Sequence, residues 1–184
     1  MEVKFCPRCG TPVQSLFRYG AARPACPACG FIHFANPRVA AAVFVGDGAR
    51  VLLVKRKVAP EQGKWALVAG FVEYGEEPQA AARREMREET GLEVVIERML
   101  DLSFNEADKV IVILYQARAV GGVLGANDDV EEARWFTEAE LPELAFESTR
   151  RAVRGWLEGT VQSSAGSSSM AGSSRNTTSR DSSG

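Results

Sequence analysis

The stretch that most constrains this chain is Gly70 to Leu92, GFVEYGEEPQAAARREMREETGL, where six acidic residues and three arginines share 23 positions with three glycines. Pro78 suits the first turn of a helix, Glu76 and Glu77 complement the positive end of its dipole, and Gly91 fits the left-handed position that ends one. The spacing therefore predicts a helix from Glu77 to Thr90. At about 100° per residue, Glu85, Glu88 and Glu89 share one sector bordered by Ala81, Ala82 and Met86, while Arg83 and Arg87 point the opposite way. With those arginines in water, the three carboxylates face inward.

Three like charges on a protected face repel and are costly to desolvate, so they stay ionised together only beside a cation. Clustered carboxylate oxygens suit Mg²⁺ or Mn²⁺. Arg84 borders the sector and is placed to pair with Glu88 or with Glu76. The glycines at 70 and 75 let the loop from Gly70 to Glu76 approach a metal or a phosphate closely.

Gly70, five residues, Glu76, seven residues, then Arg84-Glu85-Met86-Arg87-Glu88-Glu89-Thr90-Gly91-Leu92 resembles the complete Nudix box, with every fixed position matched. The resemblance implies hydrolysis of a pyrophosphate linkage in a nucleoside diphosphate joined to another group. It further implies Mg²⁺ (or Mn²⁺) held by Glu85, Glu88, Glu89 and the Gly70 carbonyl, with Arg84 orienting the cluster. In such enzymes a downstream acidic residue often joins the metal or acts as base. Asp129 and Glu132 occupy the similar positions here, and either is equally a solvated acidic turn.

Ahead of this stretch, Cys6-Pro-Arg-Cys9-Gly and Cys26-Pro-Ala-Cys29-Gly are two copies of one unit separated by 16 residues, and they hold all the cysteines of the chain. Paired C-x₂-C units at this spacing predict a zinc ribbon, and four thiolates make a closed, structural Zn²⁺ site. Two disulfides or redox pairs are the alternative. His33, the single histidine, reads as a surface or hinge residue, and with all four cysteines committed to the ribbon a Ser-His-Asp or Cys-His mechanism is disfavoured.

The rest of the chain predicts strands at Arg38 to Val45 and Arg50 to Arg56, joined by a hairpin turn at Gly46-Asp47-Gly48. Lys55, Arg56 and Lys57 either solvate the end of the second strand or bind substrate phosphates. A third strand is expected within 63–72, from the alternation of Trp65, Leu67 and Ala69, and two more at Val94 to Phe104 and Lys109 to Val120. A last strand covers Ala133 to Phe136. Thr137 with Glu140 forms a capping box, and Ser148 is expected to cap a helix running to Glu158 with Ala152, Val153, Trp156 and Leu157 as its apolar face. Beyond it the composition collapses to Ser, Gly, Thr and Asn, which predicts a disordered tail.

The expected organisation is a zinc ribbon over 1–34, a Nudix domain over 37–158 and the tail over 159–184. Periodicity alone supports a mixed α and β domain, and the resemblance implies an α/β/α sandwich. A ribbon in front of a Nudix domain narrows the resemblance to the group containing NADH, ADP-ribose and FAD pyrophosphatases. The Pro- and Trp-rich motif of the NADH enzymes is replaced by MLDLSFN at 99–105, so ADP-ribose or FAD is favoured over NADH and NADH-capped RNA.

With 22 Lys and Arg against 24 Asp and Glu, no strong net field favours polymeric nucleic acid or a membrane as partner. A small-molecule nucleotide is the expected substrate, and a homodimer is compatible with the resemblance. The N-terminal MEVKFCPRCG lacks an apolar signal sequence, so a cytoplasmic location is expected. Two other readings stand beside the enzyme. One is a nucleotide sensor whose ribbon contacts a partner, which the intact glutamate set argues against. The other is a functional ribbon on a Nudix scaffold, disfavoured because Lys4, Arg8, Arg18 and Arg23 are scattered through it.

Overall fold

A computed structural model describes residues 3–161. The first strands, β1 (Gln14–Arg18) and β2 (Ala21–Ala25), form an antiparallel pair of their own within the cysteine region. The remaining elements are β3 (Arg38–Val45), β4 (Arg50–Arg56), β5 (Trp65–Ala66), β6 (Val68–Phe71), α1 (Pro78–Thr90), β7 (Leu92–Asn105), β8 (Val110–Gly122), β9 (Val130–Thr137), a 3₁₀ turn at Glu138–Glu140 and α2 (Glu147–Leu157). They build a four-stranded sheet in the order β6-β3-β8-β7 and a three-stranded sheet in the order β5-β4-β9. β3 and β8 run parallel, and every other pairing between these strands is antiparallel.

Both faces of the central strands are buried, which explains their near-continuous apolar sequences. On β3, Ala41, Val43 and Val45 join one cluster with Ala81, Ala82 and Met86 of α1, while Ala42 and Phe44 join a second with Ala152 and Val153 of α2. β4 divides in the same way, Leu52 and Val54 facing the first cluster and Val51 and Leu53 the second. This period-two alternation between two cores, one under each helix, is the α/β/α sandwich.

Several expected elements change form. The turn at 46–48 is present, but β3 and β4 diverge after one bridge between Gly46 and Val51, because β6 and β8 already occupy both edges of β3. The single strand expected within 63–72 breaks at Leu67, whose N–H leaves the ladder and donates to the buried Thr149 hydroxyl at 3.3 Å. β5 thereby serves one sheet and β6 the other. Ser148 does not cap α2: the cap position is Phe146, with no side-chain bond. Leu157 stays exposed, and Val161 packs against the second cluster in its place. The expected tail lies, from residue 162 onward, outside the described residues. Among the described residues no helix is long and apolar enough to cross a membrane.

α1 begins with Pro78 in its first turn and ends at Gly91, whose φ of 71° and N–H bond to the Arg87 carbonyl close the helix. The strand that follows departs immediately. This terminus matters for the site, because its free carbonyls hold a distant loop.

Candidate active site and metal centre

The four cysteines come together at the tips of two matching turns. In each, a glycine N–H donates back to a cysteine carbonyl, Gly10 to Cys6 at 2.9 Å and Gly30 to Cys26 at 3.1 Å. All four sulfur atoms lie within 4.8 Å of one another, and the closest pairs are 3.5–3.6 Å apart. Tetrahedral zinc with bonds of about 2.3 Å separates its sulfurs by about 3.8 Å, so the arrangement fits that ion. A disulfide needs a separation of about 2.05 Å, and the cysteines are free. Cys6 and Cys26 are buried while Cys9 and Cys29 face outward. His33 stands outside the cluster.

The second centre is built on α1. Arg84 is its hub, donating from Nε and Nη2 to both oxygens of Glu76 at 2.9 Å, from Nη1 to Glu85 at 2.7 Å and Glu88 at 3.0 Å, and from Nη2 to the Phe71 carbonyl at 3.0 Å. It therefore makes both expected pairings and adds Glu85. These bonds clip the loop after β6 onto the helix. The bidentate Arg84 contact, then the Glu73 N–H, hold Glu76 down at about 2, while bonding, first to Glu76, raises the already high affinity of Arg84 for its proton.

The three glutamates are graded in depth. Glu89 is 6 % exposed, Glu85 is partly buried against Gly70, and the Glu88 side chain stands at the rim, 46 % exposed. Arg83 and Arg87 face solvent as expected. A Cβ on Gly70 would fall 2.0 Å from the Glu85 carboxyl group, so only glycine permits this packing. The Glu89 carboxyl group makes no hydrogen bond or ion pair among the described residues and opens onto the cavity. Burial, reinforced by Asp129 and Glu85, pushes it up to about 9. Burial also raises Glu85, against the pull of Arg84.

Asp129 arrives from the loop between β8 and β9. The Gly125 N–H donates to the Thr90 carbonyl at 2.9 Å and the Asn127 N–H to the Glu89 carbonyl at 3.0 Å, which ties this loop to the end of α1. A bulge then intervenes between Lys55 and Arg56 of β4. Asp128 and Asp129 line the cavity over Glu85 and Glu89, whereas Glu131 pairs with Lys55 at 2.7 Å and Glu132 lies near Arg134 at 4.0 Å. Glu132 is thus not brought to the other candidates.

The cavity encloses about 550 Å³. Gly70, Glu85, Glu89 and Asp129 line it together with Arg38, Arg56, Phe71 and Phe146, the guanidinium of Arg38 lying 4.1 Å from the Phe71 ring centre and that of Arg56 5.0 Å from Phe146. Of the basic run 55–57, only Arg56 lines it. Arg38 and Phe71 were not legible as site residues, because the sheet order alone brings the start of β3 beside the end of β6, and Asp128 enters only through the fold of the loop before β9.

Two family models match, the NUDIX domain over residues 36–157 and the Nudix N-terminal zinc ribbon over residues 4–35. The chain belongs to the Nudix hydrolase family. The crystal structure of a NUDIX hydrolase from Nitrosomonas europaea superposes with a TM-score of 0.81 at 30 % identity, covering 89 % of this chain and 96 % of that one. A protein of Methanocaldococcus jannaschii named ADP-ribose pyrophosphatase is 38 % identical over 119 residues, 62 % of this chain and 70 % of that protein. The NAD-capped RNA hydrolase NudC of Deinococcus radiodurans is 34 % identical over 161 residues, 80 % of this chain and 54 % of its own length. The chain spans about half the length of the NudC proteins it matches.

Proposed function

We propose that this chain hydrolyses the diphosphate linkage of a nucleoside diphosphate joined to another group, taking ADP-ribose or FAD in preference to NADH. One observation carries the reading: Glu89, 6 % exposed, opens its carboxyl group onto the cavity beside Glu85 and Asp129, with no side-chain ion pair among the described residues. A carboxylate so placed calls for a hard divalent cation, Mg²⁺ or Mn²⁺. Glu85, Glu89, Asp129 and the Gly70 carbonyl would hold it from the floor and Glu88 from the rim. When bound, such an ion neutralises phosphate charge and lowers the pKa of coordinated water.

The protein's own groups supply the remainder. Arg84 is a positioning residue, fixing Glu85 and Glu88 through direct bonds. Arg38 and Arg56 form no carboxylate ion pair among the described residues and lie on aromatic rings, and although Arg56 Nε donates to the Pro60 carbonyl at 2.8 Å, its terminal nitrogens and the guanidinium of Arg38 would meet the two phosphates. A floor carboxylate accepts the proton of the attacking water. The four cysteines hold a structural Zn²⁺, which supplies folding free energy to the ribbon.

The 38 % identity to a protein named ADP-ribose pyrophosphatase supports the substrate order. Relatives named NAD-capped RNA hydrolases favour a second reading, a capped RNA 5′ end, and weaken the expectation of no polymeric nucleic acid. The absent Pro- and Trp-rich motif weighs against it. Comparing kcat/KM with Mg²⁺ for ADP-ribose, FAD, NADH, a nucleoside triphosphate and a NAD-capped oligonucleotide tests both. Preference for NADH or a triphosphate overturns the order, preference for capped RNA selects the second reading, and binding without turnover of any selects the sensor.

A further inference from the structure

We propose that the zinc ribbon carries a binding surface for single-stranded RNA, formed by aromatic side chains interleaved with arginines and separate from the carboxylate cavity. The side chains of Phe5, Phe17, Tyr19 and Phe34 are all exposed, Tyr19 at 77 %. Tyr19 and Phe34 meet with ring centres 6.1 Å apart, Arg23 lies 4.8 Å from the Phe34 ring, and Arg8 lies 5.8 Å from Phe31. Arg8, Tyr19, Phe31 and Phe34 line a hollow of about 450 Å³. Arg8 and Arg23, far apart in sequence, are therefore brought by the fold beside neighbouring aromatic rings.

Charge decides the occupant. Residues 3–35 contain Lys4, Arg8, Arg18 and Arg23 and no Asp or Glu, and none of the four forms an ion pair among the described residues. Zinc with four thiolates carries a charge of about −2, so the region remains cationic on a chain of net charge −2. A second copy seated on the same face would set these cations against themselves. Exposed rings beside guanidinium groups that carry no carboxylate partner, Arg23 donating only to the Arg18 carbonyl, instead match the stacked bases and phosphates of an unpaired strand.

This surface does not depend on the substrate proposed for the cavity, so its test uses an RNA with nothing to hydrolyse. A fluorescein-labelled, uncapped oligoadenylate of about twelve nucleotides is titrated with the full zinc-loaded chain without added Mg²⁺, by fluorescence anisotropy. Saturable binding is expected, with log K falling against log salt at a slope of about −2, as for three neutralised phosphates. Tyr19→Ala and Arg23→Gln each weaken it about tenfold or more, with zinc content, melting and cavity turnover unchanged. No saturable binding at low salt, wild-type binding by both variants, or equal binding of a duplex overturns the proposal. So does self-association lost in the same variants without RNA binding.

Discussion

Among the described residues before Arg38, the buried apolar side chains are Cys6, Ala25 and Cys26, whereas the sandwich buries two clusters fed by alternate faces of the same strands. The ribbon has almost no core, so the ion proposed for its cysteines supplies the free energy that packing does not. The sandwich has a core to spare and uses part of it to bury carboxylates that repel one another. A cation in the first region would sustain the fold; in the second it would relieve a repulsion that the fold already tolerates. The two centres should therefore answer oppositely to loss of their ligands.

The largest effect is expected in the ribbon. Zinc binding to small metal domains is worth about 10–16 kcal/mol, so Cys26→Ser should release the metal and unfold residues 3–35. The sandwich should keep its own melting transition. Metal analysis with limited proteolysis checks both halves, and a wild-type protein without zinc, its cysteines paired as disulfides, would remove the premise.

In the sandwich, Glu89→Gln removes a charged oxygen at nearly constant shape. Turnover should fall about 10²-fold or more, equivalent to about 2.7 kcal/mol, while metal-free melting stays the same or rises. Near wild-type turnover at saturating Mg²⁺ would end the metal-site assignment.

The same group sets a pH signature. A carboxyl at about 9 in the fold and about 4.3 in the unfolded chain binds more protons folded than unfolded between those values. Metal-free stability should then fall as pH rises across that window. Glu89→Gln should flatten the dependence, and a wild-type melting temperature that rises from pH 5 to 9 would contradict the burial argument.

Much of this was legible in the residues. The helix is delimited by Pro78 and Gly91, and the placement of Glu85 and Glu89 opposite Arg83 and Arg87 follows from helical spacing, whereas Glu88, expected inward with them, is exposed. The knuckle pairs are equally local. The depth order of Glu89, Glu85 and Glu88 was not legible, since it depends on where β6 and the 123–129 loop pack. The break at Leu67 was hidden because Trp65, Leu67 and Ala69 mimic one strand, and only the Thr149 hydroxyl, far along the chain, draws the Leu67 N–H out of the ladder. Arg38 and Phe71 meet through sheet order, which no periodicity records.

Gly70→Ala probes that long-range packing with a smaller expected effect. The added methyl group meets the far end of the Glu85 side chain, which can swing away at little cost to the fold. It then leaves the floor, so turnover should drop about tenfold, about 1.4 kcal/mol, and the Mg²⁺ concentration for half activity should rise. Loss of melting stability in step with activity would show instead that the backbone, rather than Glu85, had moved.

The smallest effect should separate two acidic positions that sequence left equivalent. Asp129 lines the cavity and adds to the field that raises Glu89, and its loop is tied to the end of α1 through Asn127. Glu132 lies past the bulge, half exposed and 4.0 Å from Arg134. An exposed pair at that distance contributes about 0–1 kcal/mol, and nothing links it to the cavity floor. Asp129→Asn should therefore lower turnover about tenfold and lower the metal-free pKa of Glu89, whereas Glu132→Gln should alter turnover by less than about twofold. Measuring kcat against Mg²⁺ for both variants decides it. If Glu132→Gln proved the more damaging, the 128–132 segment would have to rearrange when substrate binds, and the assignment of Asp129 to the floor would be withdrawn.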